Sequence, residues 1–286
     1  EALLGRGEQA AEHEALAAHL EAALREPLPQ GYWDPQERRF TDWVDRSDVS
    51  HDHIHLLANI LPVLIGAATP EQSSDVLDLV ERETPEFQRF PTFLSARIAD
   101  YTDSEIGDGG PYDLCAAGRY WCWDAAFWAS RGQGNVLAQQ LLTVANEGAL
   151  SDYIMGERYD MNYVYYADGT TWHGAAHYYE YPCVFTWVLL HEYLGLGESL
   201  TADLRISPRL AEPGSIRLDQ QAYQLSYTYA PESFELVNHA DRQRSFEIDL
   251  SAIYPHAAGF VIARADGGED GLELAGALLA PGESVR

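Results

Sequence analysis

The fold is decided above all by residues 56–82, which read LLANILPVLIGAATPEQSSDVLDLVER. The first half of this stretch, Leu56 to Ala68, is almost continuously apolar, which predicts a mostly buried helix. Thr69 then supplies an N-cap and Pro70 a suitable first helical residue for an amphipathic helix that continues from Glu71 to Arg82. The stretch therefore predicts a helical hairpin.

Further helices are predicted on both sides of this hairpin. Upstream, Gln9 to Arg25 is rich in Ala, Leu and Glu, with apolar residues at helical spacing and prolines directly after it. Downstream, Trp121 to Arg131 and Asn135 to Asn146 form a second helical hairpin, and Tyr181 to Leu194 forms another helix. Long polar and aromatic loops separate these helices, so this part of the chain is expected to be mainly helical.

The apolar pattern changes to alternation after about residue 200, which is typical of half-buried strands. Four alternating residues share one face of a predicted strand: Tyr223, Leu225, Tyr227 and Tyr229. Similar alternation recurs near Phe246 and Phe260, which predicts several short antiparallel strands. We therefore predict two domains, a helical domain at residues 1–199 and a small β-sheet domain at residues 200–286.

Composition excludes several classes of function. The 286 residues are 46% hydrophobic, which suits a globular protein, and carry a net charge of −27 without any lysine. Nucleic acid is therefore excluded as a partner, and a neutral glycan fits this acidic surface better than a polyanion. The longest apolar run is too short to cross a bilayer, so no membrane association is expected.

The beginning of the chain bears on its location. Residue 1 is Glu1, which indicates either a processed chain or a start inside a longer protein, and no signal peptide is seen. We expect a cytoplasmic protein, with secretion as the alternative. The cysteines are too few for a disulfide scaffold, and their apolar surroundings favour buried thiols: Cys115, Cys122 and Cys183.

No cofactor is expected, because no nucleotide-binding or serine-hydrolase motif occurs. Two metal hypotheses are open. The acidic loop from Asp100 to Gly110 offers oxygen ligands for a structural calcium ion. The run from His51 to His55 places histidines at alternate positions, but a hydrogen-bonded loop with Asp52 as the N-cap of the next helix is the favoured interpretation.

The stretch from Gly109 to Leu196 concentrates tryptophans, tyrosines and carboxylates. Sugars are bound by flat aromatic faces and forked charged side chains, and their hydrolysis uses carboxylates, so the stretch predicts a carbohydrate pocket. Glu157 follows a predicted helix and precedes an Asp-Gly turn, where a carboxylate can hold and deprotonate a water molecule. The alternative is a solvated loop glutamate.

A family resemblance rests on the run Glu157-Arg158-Tyr159-Asp160, with the glycine-containing aromatic stretch and the tryptophan-containing helix after it. This run resembles the segment with the catalytic base in six-hairpin glycosidases, among which trehalases and processing α-glucosidases are the nearest. Upstream motifs agree with the resemblance: Tyr32-Trp33-Asp34, Phe40-Thr41-Asp42, the run from Asn59 to Leu64, and Gly110-Pro111-Tyr112. The resemblance covers roughly residues 30 to 196.

The resemblance implies a fold and an activity. The fold would be mainly α, an α/α toroid of which this chain holds the C-terminal part, followed by the small antiparallel β domain. The activity would be inverting hydrolysis of a neutral, α-linked glucoside or oligosaccharide, with Glu157 as general base and the general acid in an earlier loop. A partial toroid would expose apolar faces, so the partner would be a second chain that completes it or a second copy in a homo-oligomer.

Two residues are candidates for the general acid if this chain contains it, Asp124 and Asp113. Asp124 follows a tryptophan-rich run, where burial would raise its pKa, and the alternative is that it caps its helix or pairs there with Arg119. The candidates for binding the substrate are Tyr112, Arg119, Trp121, Trp123, Tyr159, Trp172 and His173. For each tryptophan taken alone, core packing is the alternative.

Two other functions are open. A polysaccharide lyase would use Tyr159 or Tyr178 and a histidine such as His177 as base and acid, although this acidic surface would repel the uronates that lyases act on. A non-catalytic carbohydrate-binding fragment would keep the aromatic pocket without the acid.

Overall fold

The computed structural model describes residues 5–97, 100–106, 114–150, 152–159 and 178–257, together with the backbone of four short strands beyond them. The chain forms two compact units. One comprises Glu1–Phe127 and Thr143–Val184, and the other comprises Trp128–Leu142 and Phe185–Arg286. Each unit is therefore built from two separate segments of the chain. The predicted domain boundary between residues 199 and 200 remains a prediction.

The helices of the described ranges account for most of the predicted helical segments. Their bounds are α1 Gly7–Arg25, α2 Leu56–Leu64, α3 Pro70–Phe87, α4 Asp103–Ile106, α5 Gly118–Ser130, α6 Gly134–Leu150 and α7 Glu180–Trp187, which continues as a π-helical turn at Val188–Tyr193. The helical hairpin predicted at residues 56–82 is confirmed as α2 and α3, which pack against each other.

The strands are short and occur along the whole chain. In the first unit they are β1 Trp33–Asp34, β2 Arg39–Phe40, β3 Trp43–Val44, β4 Ser50–His51, β5 Ala116–Ala117 and β6 Arg158–Tyr159. In the second unit they are β7 Leu196–Gly197, β8 Leu204–Ile206, β9 Gly214–Leu218, β10 Leu225–Ala230, β11 Ser233–Asn238, β12 Arg244–Ile248, β13 Phe260–Ala263, β14 Glu269–Leu272, β15 Ala277–Leu279 and β16 Ser284–Val285.

The prediction of a mainly α toroid is wrong. In the first unit three antiparallel strand pairs occur among the helices: β1 with β2, β3 with β4, and β5 with β6. A two-residue strand is too short for an alternating pattern to be recognised in the sequence. The segments that form these pairs were therefore predicted to be loops. The described chain is a mixture of helix and sheet.

The sheets of the second unit also correct the sequence-based expectation. The unit holds two four-stranded sheets, ordered β16-β11-β10-β9 and β15-β12-β8-β7. The first sheet is antiparallel, as predicted, but β8 and β12 in the second sheet are parallel, with Leu204 opposite Phe246. A parallel pair requires a long crossover, and here the crossover includes three strands of the other sheet, β9, β10 and β11.

The helix starts explain why the predicted hairpin forms. Thr69 and Gln72 form a reciprocal capping box at α3, with the Thr69 hydroxyl 3.2 Å from the Gln72 amide nitrogen. At α2 the N-cap is His55, whose Nδ1 accepts from the Ala58 amide at 3.3 Å. The prediction that Asp52 caps this helix is wrong, because its carboxylate instead binds the Arg39 guanidinium at 2.9 and 3.0 Å.

Tyr227 lies in the core of the second unit, as the alternation of β10 predicts. Leu225 and Tyr227 are buried with Leu236 of β11 and Phe246 of β12. The Tyr227 hydroxyl, which would be costly to bury alone, donates to the Leu194 carbonyl at 2.9 Å. This bond ties the end of the π-helical turn to the sheet.

The helix that begins at α7 ends where the sequence predicts, at Gly195. Gly195 has φ +69°, and a Cβ there would lie 1.9 Å from the Ser207 carbonyl oxygen, so only glycine fits. The prediction of buried thiols holds for one cysteine only. Cys115 is buried, Cys122 is partly exposed, and Cys183 is exposed because it lies on the solvent side of α7.

Candidate functional site

The site around Glu157 is positioned by the pairing of β5 with β6. Ala116 lies opposite Tyr159 and Ala117 lies opposite Arg158. The antiparallel register therefore brings the residue before β6, Glu157, beside the residues that begin α5, including Arg119.

Arg119 binds two carboxylates with one edge of its guanidinium. Its Nη2 is 3.0 Å from Glu157 Oε1, and its Nε is 3.1 Å from Glu180 Oε1. A second guanidinium, that of Arg158, places its Nη2 3.3 Å from the same Glu157 oxygen. The Glu157 side chain is 17% exposed, so this carboxylate is held by two cations and still reached by solvent.

Glu180 also caps α5. Its Oε2 accepts from the Arg119 amide at 3.3 Å, which satisfies a donor at the helix start and places negative charge at the positive end of the helix dipole. The two helix starts approach closely, since a Cβ on Gly118 would lie 2.9 Å from the Glu180 Cβ. A larger residue at position 118 would therefore displace Glu180 from Arg119.

An aromatic cluster packs beside this charged group. The Phe90 ring lies 4.2 Å from Tyr159 and 5.0 Å from Tyr181, and the Tyr159 and Tyr181 rings meet edge to face at 5.4 Å. Tyr181 is completely buried, its hydroxyl donates to the Pro91 carbonyl, and burial raises its pKa well above the usual value. The cluster forms an apolar, largely buried group of rings around Tyr159 of β6, the strand that follows Glu157.

Asp124 occupies a different environment from Glu157. It is completely buried, and its Oδ2 accepts from Gln88 Nε2 at 2.6 Å and from Thr92 Oγ1 at 2.8 Å. The ion pairs of Arg119 described above are with Glu157 and Glu180, so the structure does not show the pair between Asp124 and Arg119 that the sequence left open. Asp124 acts here as an acceptor that ties α5 to the end of α3.

The other predicted site residues are divided between core, surface and undescribed positions. Trp121 is completely buried and packs 6.2 Å from the Tyr181 ring, as the core-packing alternative predicts. Trp123 is 47% exposed. The remaining candidates lie outside the described residues: Tyr112, Asp113, Trp172, His173 and His177.

Sequence reasoning missed two contributors to this site. Glu180 binds Arg119 across a long stretch of chain, and only its place at a helix start could have indicated a role. Phe90 lies in a loop after α3 without any motif, so its contact with Tyr159 depends wholly on tertiary structure.

The metal hypotheses gain no support from the described residues. Among them, no group of three or more His, Cys, Asp or Glu side chains is arranged to hold a metal ion. Of the acidic loop proposed for calcium, Glu105 is described, and its carboxylate binds His51 and Thr102 instead. Within the same ranges, the helices are all too short or too polar to cross a membrane.

Comparison with known proteins does not assign a family. Neither the protein-family models nor the curated proteins gave a significant match to this chain.

Proposed function

We propose that this protein is a glycoside hydrolase in which Glu157 is the general base that activates water. The observation that carries the proposal is the ion-pair group of Arg119, Arg158 and Glu157, in which two guanidinium groups lie 3.0 and 3.3 Å from one carboxylate oxygen. The two guanidinium groups fix the position of the Glu157 carboxylate, and a positioned carboxylate can accept a proton from water.

The surroundings of Glu157 support a sugar as the substrate. Tyr159, which is partly exposed, lies on the same strand pair and can pack on the C–H surface of a sugar ring, while the buried Phe90 and Tyr181 rings support it from below. The other N–H groups of the Arg119 guanidinium can donate to the oxygens of sugar hydroxyl groups. The net charge of −27 favours a neutral glycan over an anionic chain, and the substrate we propose is a neutral, α-linked glucoside or oligosaccharide.

The proposal assigns Asp124 a positioning role instead of the role of general acid. An acid must deliver its proton to the oxygen of the glycosidic bond, whereas Asp124 is completely buried and accepts hydrogen bonds from Gln88 and Thr92.

A carbohydrate-binding protein without turnover is the second candidate. The ion pairs of Glu157 with two arginines favour this candidate. A site that only binds sugar hydroxyl groups needs charged hydrogen-bonding side chains of this kind but no general acid. The lyase alternative is disfavoured, because a tyrosine base requires a lowered pKa. Burial raises the pKa of Tyr159, and the hydrogen bond with Tyr179 raises the pKa of Tyr178.

The proposal is tested by incubating the protein with a panel of α- and β-linked oligosaccharides and analysing products by proton NMR. A hydrolase releases reducing sugars, and an inverting one first forms the anomer opposite to the bond cleaved. A lyase instead produces an unsaturated product with ultraviolet absorbance. Binding in titration calorimetry without any product would favour the carbohydrate-binding candidate, and absence of both binding and product would contradict both proposals.

A further inference from the structure

A second cluster of titratable side chains joins the β3–β4 hairpin to α4. His51 Nδ1 lies 2.8 Å from Glu105 Oε1, and His53 Nε2 lies 3.5 Å from the same oxygen. The other ring nitrogen of His53 is 3.3 Å from Asp42 Oδ2, which also accepts from the Tyr101 hydroxyl at 2.8 Å. These five residues, which we call the Asp42 network, connect two acids through two histidines.

Stacked rings hold the network in place. The Trp43 ring stacks on His51 at 4.6 Å with an interplanar angle of 8°, and the His53 ring stacks on Tyr101 at 3.8 Å with an angle of 11°. Stacking leaves the ring edges, where the nitrogens are, facing the carboxylates. The contacts that Glu105 of α4 makes with His51 and His53 are therefore polar and depend on charge.

Asp42 is the buried end of this network. Its side chain is 3% exposed, and its Oδ1 is buried without a hydrogen-bond partner among the described residues. An ionised carboxylate in such a place is costly because one oxygen has lost its water. Burial raises the pKa of Asp42 to about 6, although Tyr101 and His53 act in the opposite direction.

At the other end of the network, the charged forms of Glu105 and His51 are favoured. The hydrogen bond from His51 lowers the pKa of Glu105 to about 2, with further contributions from Thr102. The same contact raises the pKa of His51, whose other nitrogen is 3.6 Å from Asp45 Oδ2. A charged His51 therefore strengthens the contact with Glu105.

The remaining charges that face Asp42 come from two elements. Asp52 adds repulsion that raises the pKa of Asp42, but its own carboxylate is paired with Arg39 of β2. Protonation of Asp42 thus removes one of two neighbouring negative charges, while Arg39 continues to balance the other.

We propose that the Asp42 network is a pH-sensitive latch that holds α4 on the β3–β4 hairpin at mildly acidic pH and loosens as the pH rises to neutral and above. With rising pH, Asp42 acquires a buried charge and His51 loses the charge that binds Glu105, so both changes weaken the latch. With strongly falling pH, Glu105 becomes neutral and the latch weakens again. α4 precedes α5 in the chain, and Arg119 is the second residue of α5.

Amide hydrogen exchange by NMR tests the latch on the full chain. Between about pH 5 and about pH 8, and after correction for the intrinsic exchange rate, we expect the protection of the Trp43, His51 and Glu105 amides to fall at least about tenfold. In Asp42→Asn, which cannot acquire the buried charge, we expect a fall of less than about threefold. A control, Asp75→Asn, removes a carboxylate that binds Arg38 on another surface and should retain the parental fall.

Two further measurements keep the test decisive if Asp42→Asn does not fold. In the parent, the Asp42 side-chain carbon should titrate near its raised pKa of about 6. In Tyr101→Phe, loss of the donor to the ionised carboxylate should move the fall in protection to higher pH. Protection that is unchanged between the two pH values, or an Asp42 titration near its ordinary value of 3.8, would overturn the proposal.

Discussion

Arg119 divides one edge of its guanidinium between two glutamates, binding Glu180 through Nε at 3.1 Å and Glu157 through Nη2 at 3.0 Å. Glu180 is fixed at the start of α7 and also caps α5, so the Arg119 side chain cannot turn away without losing its bonds to Glu180 and Glu157. The orientation of Glu157 therefore depends on a residue far from it in sequence. This relationship makes Arg119 a positioning residue for the proposed base.

Replacing Arg119 by Lys tests this dependence on geometry. The ammonium group keeps the charge but cannot bind both glutamates along one planar edge. We expect kcat/KM for the substrate found in the panel to fall at least about tenfold in Arg119→Lys, because misplacement of a catalytic group is costly. The matched control is Arg38→Lys, whose guanidinium binds Asp75. Equal activity of Arg119→Lys and the parent would contradict the positioning role.

Removing the buried carboxylate of Asp124 should destabilise the first unit. In Asp124→Ala the Gln88 amide and the Thr92 hydroxyl lose a buried acceptor, and an unsatisfied buried donor costs about 1–3 kcal/mol. We expect urea denaturation to show a loss of this size. Asp219→Ala, an exposed carboxylate that binds Arg217, is the control and should change stability by less than about 1 kcal/mol. Unchanged stability of Asp124→Ala would refute the assigned role.

The capping box of α3 gives a prediction that is independent of function. Thr69→Ala removes the hydroxyl that accepts from the Gln72 amide at 3.2 Å, and we expect a loss of about 1 kcal/mol in the free energy of unfolding. Ser74→Ala lies in the same helix, where Ser74 is exposed, and should be neutral or slightly stabilising because Ala favours helix. Similar stabilities for the two variants would mean that the cap contributes nothing.

The raised pKa of Asp42 predicts how stability changes with pH. The folded protein binds this proton more tightly than the unfolded chain, so the contribution to stability is fully present below about pH 4 and is lost as the pH rises through about 6. The shift from 3.8 to about 6 corresponds to about 3 kcal/mol. We expect Asp42→Asn to lack this decline in urea denaturation between the two pH values. If the stability of the variant declined as much as that of the parent protein, other titratable groups would be responsible for the decline.

Local sequence predicted some elements well. The hairpin of α2 and α3 was predictable because its apolar run, its Thr69 cap and its Pro70 act within a few residues of each other. The alternation of Leu225 and Tyr227 likewise predicted the buried face of β10. The signals for the hairpin lie close together in the chain, and the signal for β10 is a regular alternation of residues.

The candidate site was less predictable. Glu157 was chosen from its motif, but its neighbour Arg119 is brought there by the two-residue strands β5 and β6, which have no period to detect. Glu180 and Phe90 enter the site through contacts between distant segments. Asp42 showed the same limit, since its raised pKa follows from burial that the sequence around it does not indicate.

The most direct test of the account is the turnover of an oligosaccharide by the parent protein and by Glu157→Gln. The amide keeps the size of the side chain but cannot accept the proton from water, so we expect a loss of at least about 10²-fold in kcat with binding of the sugar retained. Glu232→Gln, which changes an exposed glutamate in the turn after β10, should retain parental turnover. Parental turnover by Glu157→Gln would contradict the assignment of Glu157 as the base.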